Sequence, residues 1–100
     1  MNAQTAKIAA MIRRTKSADG SLTYHVDGAP KDCQIATLTV GRNTAGVYWA
    51  RIVFRAGSGP ALAQWFFPHW SQLLADVDQK RMEYHCPLFP IEEPRAAHWA

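Results

Sequence analysis

Residues 47–55 read Val-Tyr-Trp-Ala-Arg-Ile-Val-Phe-Arg and form the strongest strand pattern in the chain, with Tyr48, Ala50, Ile52 and Phe54 in one apolar row. The opposite row places Trp49 between apolar neighbours and the cations Arg51 and Arg55, on the face expected to meet solvent. Trp beside Arg is the composition of binding hot spots, and it suits two chemistries. One is docking on a protein surface. The other is stacking on an unpaired base while guanidinium groups hold phosphate. The plain structural alternative covers Trp49 with the Pro-rich C-terminus, with Trp99 or with a second copy of the chain. Arg13, Arg14 and Lys16 make a second cationic group, placed where they would favour the end of a first helix or meet phosphate.

Residue types suited to catalysis do not assemble into a pattern. His25, His69, His85 and His98 show no zinc-protease spacing, and neither a nucleophile-elbow nor a phosphate-loop motif occurs. Cys86 next to His85 pairs a thiol with a base, but adjacent residues on extended chain point to opposite faces. Cys33, His85 and Cys86 are zinc-type donors without zinc-type spacing. His69, after Pro68, reads as a boundary residue. The expectation is no catalytic residue, no metal and no cofactor.

These residues must be positioned by one small domain. The chain has 100 residues, 48% of them hydrophobic and 19% charged, which is core material enough for one domain and too little charge for disorder. Residues 1–55 hold eight Lys/Arg against three Asp/Glu, and residues 56–100 hold three against five. The basic half suits an anionic partner, although so mild an excess also serves solubility. Two cysteines without CxxC spacing, no 18-residue apolar run and no apolar leader behind Lys7 point to a cytoplasmic protein with no membrane contact.

Helical spacing of Ile8, Met11 and Ile12 predicts a helix from residue 2 or 5 to 15, ended by Asp19-Gly20. Strands are predicted over 21–26, with Leu22, Tyr24 and Val26 inward, over 33–40, where alternation is imperfect, and over 47–55. After Gly57-Ser58-Gly59, Pro60 opens a predicted helix reaching about residue 82, because Leu62, Trp65, Phe66, Trp70, Leu73, Leu74 and Val77 recur at steps of three or four. Pro68 would kink it at a cost of ~3 kcal/mol. The expected fold is α+β: a three-stranded antiparallel sheet with an N-terminal helix and a long kinked C-terminal helix packed on one face. Residues 1–87 form the domain and 88–100 a Pro-rich tail.

That α-β-β-β-α order is shared with double-stranded-RNA-binding domains, but the last predicted helix begins Pro-Ala-Leu-Ala-Gln-Trp-Phe-Phe, without the lysine cluster which that mechanism needs. Four Trp, four Phe and three Tyr exceed what a small core readily encloses, which favours an interface. The expected function is a small non-enzymatic protein that binds and blocks or modulates a protein or nucleoprotein complex, in the style of phage or mobile-element inhibitors such as anti-CRISPR proteins. The runner-up is direct nucleic-acid binding. Candidate binding residues are Trp49, Arg51, Arg55, Arg13, Arg14 and Lys16, and a homodimer is a further expectation for the partner.

Overall fold

A computed structural model of the chain describes residues 12–26, 33–55 and 62–95. Among these residues five strands, β1 (Arg13–Lys16), β2 (Leu22–His25), β3 (Ile35–Arg42), β4 (Tyr48–Phe54) and β5 (Leu62–Phe67), precede one helix, α1 (Trp70–Glu83). The strands form a single antiparallel meander in sequence order.

Local chemistry explains the two short turns. Asp19 Oδ1 accepts from the Ser21 amide at 2.9 Å and its hydroxyl at 2.7 Å, and Gly20 takes φ 90°, folding β1 back on β2. Those hydrogen bonds from Ser21 hold the Asp19 carboxyl below its ordinary pKa. Between β3 and β4, Asn43 Oδ1 accepts from the amides of Ala45 and Val47, both at 3.0 Å, while Gly46 supplies φ 85°.

Strand alternation sorts the side chains. Leu22, Tyr24, Leu38, Val40, Tyr48, Ala50, Ile52 and Phe54 are buried on one face, against Leu73 and Val77 of α1 and Phe89 of the C-terminal segment. The imperfect alternation of β3 has a geometric cause, a register shift between Ile35 and Thr37. Arg81, 3% exposed, anchors the C-terminal segment: it pairs with Asp78, donates to the Phe89 carbonyl at 2.7 Å and lies over the Phe89 ring. Tyr24 closes the same contact by accepting the Glu92 amide at its hydroxyl at 2.9 Å.

Three expectations are corrected. The sheet has five strands, not three. The predicted first helix lies mostly outside the described residues, and its end at Arg13–Lys16 is strand β1, because Arg13, Arg14, Thr15 and Lys16 pair with His25, Tyr24, Thr23 and Leu22. Asp19-Gly20 is therefore a hairpin turn rather than a helix stop. The long kinked helix is a strand followed by a helix. Leu62–Phe67 pairs along β4, and Pro68, lacking an N–H and crowding the preceding turn, separates two elements instead of bending one. His69 is extended at φ −125° and ψ 140°, and α1 begins at Trp70. The stripe misled because Trp65 and Phe67 also alternate, and aromatic residues favour strands. Among the described residues no helix is long and apolar enough to cross a membrane.

Candidate binding face

The second face of the sheet is read directly from its register. One row runs Arg13, His25, Thr37, Val53, Leu62; the next runs Thr15, Thr23, Thr39, Arg51, Gln64; a third holds Gly41, Trp49 and Phe66. Among the described residues the helix and the C-terminal segment pack on the other face, so Val53, Leu62 and Phe66 remain exposed, Phe66 by 61%.

Trp49 lies in the last of these rows, between Gly41 and Phe66. A Cβ at Gly41 would collide with the indole, so the glycine is what lets the ring rest on β3. The Arg51 guanidinium lies 5.2 Å from the ring centroid, a cation–π contact that fixes both side chains. Phe66 stands opposite Trp49 on β5, so two aromatic side chains share one cross-strand position. Hydroxyls tie the polar rows: Thr23 to Thr39 at 3.0 Å, and Thr15 Oγ1 to His25 Nε2 at 3.1 Å.

The electrostatics of the sheet are one-signed. Its strands carry Arg13, Arg14, Lys16, Arg42 and Arg51 and no Asp or Glu. The described acids sit in the first turn, on α1 and in the C-terminal segment.

The six candidate residues divide. Trp49, Arg51 and Arg13 share the open face, whereas Arg14 and Lys16 point to the other side of β1. There Arg14 pairs with Glu92, and both line a recess of about 140 Å³ with Gly20, Leu22, Glu93 and Arg95. Arg55 lies past the end of β4 and donates to the Val26 carbonyl at 3.3 Å, which ties it to the end of β2. Sequence reasoning missed Phe66, Leu62 and Gln64, since the helical reading assigned Phe66 to the core. Pro68 as a strand end, and a glycine inside β3, were the available signals.

The thiol and imidazole candidates have structural places. Cys86 is buried, and burial, reinforced by neighbouring Cys33, pushes its thiol up to about 12, so it is protonated at neutral pH. His85 sits at φ 58° just past α1, where its amide donates to Met82 and that of Cys86 to Arg81, the paired bonds of a Schellman cap. Among the described residues no group of three His, Cys, Asp or Glu could hold a metal ion. No protein-family model, curated protein or solved structure matches the chain.

Proposed function

We propose that this protein is a non-enzymatic interaction module that lays the open face of its sheet on an acidic surface of a larger protein or nucleoprotein complex and so blocks that surface. The observation that carries this reading is the Trp49–Phe66 pair beside Arg51, in a sheet whose strands together hold cations and no carboxylates. Aromatic anchors flanked by Arg are what interface centres are made of, and a one-signed rim selects a partner of opposite charge. Occlusion of this kind, as by anti-CRISPR proteins and other inhibitors from phages and mobile elements, needs one rigid face and no catalytic group.

Capture of a partner that is lost with Phe66→Ala and with Trp49→Ala/Arg51→Ala, and weakened by salt, supports this reading. Capture that survives the double substitution removes the open face as the site.

One observation favours a second reading, single-stranded nucleic acid: the indole resting on Gly41, with Phe66 beside it, can serve as a stacking platform. Titration with unlabelled single- and double-stranded oligonucleotides over a salt series decides between them. Tight single-strand binding with a steep salt slope, abolished by Trp49→Ala, replaces the first reading by the second.

A further inference from the structure

The two edges of the sheet are built differently. β1 is Arg-Arg-Thr-Lys, and charge of this density is how natural edge strands repel foreign strands. β5 is Leu-Ala-Gln-Trp-Phe-Phe, with no charge and no proline. Among the described residues no strand lies beyond it, so alternate N–H and C=O groups of β5 face outward with no ladder partner, and Leu62 and Phe66, on the same face of the strand, stand 52% and 61% exposed. Edge strands of such composition are templates for pairing.

We propose that β5 pairs antiparallel with β5 of a second copy, about a two-fold axis through Gln64, extending the sheet to ten strands. The choice of a second copy rests on self-complementarity. In a two-fold antiparallel pair the partner numbers have a constant sum, and continuous faces require that sum to be even. The register centred on Gln64 sets Leu62 opposite Phe66 twice on the open face, Ala63 opposite Trp65 twice on the core face, and the Gln64 amides opposite one another. Apolar meets apolar, small meets large, and amide can bond amide. The register centred on Trp65 sets Trp65 against itself, Gln64 against Phe66 and Leu62 against Pro68, which has no N–H to give.

Charge points the same way. The chain carries a net +3, yet β5 is neutral, so two copies can approach there without the repulsion that β1 would meet from another β1. Five paired residues on each side fall well short of the roughly 20–30 of a standard interface, so the dissociation constant is expected on the order of 10–100 μM. The inference stands apart from the proposed function but bears on it. Both Trp49–Phe66 pairs would lie on one side of the extended sheet and could engage a partner together.

Sedimentation velocity without any partner tests the proposal. The wild-type chain is expected to pass from monomer to dimer as concentration rises from about 5 to 500 μM, a span bracketing that constant. Gln64→Lys, which sets two ammonium groups face to face at the axis, should stay monomeric with an unchanged circular dichroism spectrum. Under mild oxidation Gln64→Cys should give a covalent dimer, while Ser71→Cys, exposed on α1, should not. A wild-type chain that stays monomeric, a Gln64→Lys protein that dimerises like wild type, or a Gln64→Cys protein that fails to cross-link overturns the proposal.

Discussion

The indole of Trp49 occupies the space that a side chain at residue 41, its register partner on β3, would fill. Gly41→Ala therefore drives a methyl group into the ring, and the ring or the strand must yield. The expected cost is about 1–3 kcal/mol in urea denaturation, the range for overfilling a packed site. Gly41→Ala added to Trp49→Ala should cost much less than it does alone, because the methyl group then meets open space. The double-mutant cycle reads that coupling, and additive effects would show that the two residues are not in contact in solution.

Phe66 and Leu73 are both large and apolar, but they stand on opposite sides of the stability question. Leu73 is fully buried under the sheet, and Leu73→Ala should cost about 2–5 kcal/mol. Phe66 projects into solvent, and Phe66→Ala should change the unfolding free energy by less than about 0.5 kcal/mol while abolishing partner binding. Equal losses of stability would place Phe66 in the core, as the helical reading had it.

The contrast shows where the sequence was legible. Tyr48, Ala50, Ile52 and Phe54 alternate with Trp49, Arg51 and Val53, and a period of two over seven residues has no helical counterpart, so β4 and its two faces could be read directly. Leu62, Trp65 and Phe66 satisfy a helical period while Ala63, Trp65 and Phe67 satisfy a strand period, and only pairing with β4 separates the two. β1 is harder still. Its four residues are polar, so neither period applies, and the strand exists because β2 offers it a ladder. Trp49 and Arg51 could thus be singled out from sequence, but Phe66, their neighbour across the β4–β5 ladder, could not.

His85 holds a left-handed backbone conformation at φ 58°, in the position past a helix end that glycine most often fills. A Cβ is disfavoured there, so His85→Gly should raise the unfolding free energy by about 0.5–1 kcal/mol, despite adding a flexible residue to the unfolded chain. Thermal and chemical denaturation check this. A loss of stability would mean that the exposed imidazole contributes more than the cap.

The thiol of Cys86 predicts a stability loss in base. Its pKa is raised from 9.0 to about 12 by burial first and by Cys33 second, so the native state holds this proton after the unfolded chain has released it. The contribution is complete below pH 9 and falls as pH rises from 9 toward 12, with a limiting slope of about 1.4 kcal/mol per pH unit. The difference in unfolding free energy between wild type and Cys86→Ser should narrow or reverse over that window and stay constant below pH 8. A difference that does not change with pH would show that the thiol is solvated.

Arg81 joins α1 to the C-terminal segment through three contacts at once: the ion pair with Asp78, the bond to the Phe89 carbonyl and the Phe89 ring beneath its guanidinium. Arg81→Ala removes all three and leaves a cavity beside Phe89, so about 3 kcal/mol is expected, the low end for breaking a buried pair because Asp78 keeps access to water. Arg81→Met keeps the apolar stem and should recover part of that loss through packing. Hydrogen exchange gives the sharper readout. In Arg81→Ala the Glu92 amide, held by the Tyr24 hydroxyl, should lose protection together with the segment around Phe89, while β3 and β4 change only by the global loss. Protection lost uniformly across the sheet would instead make Arg81 part of the central core, with no special hold on the C-terminal segment.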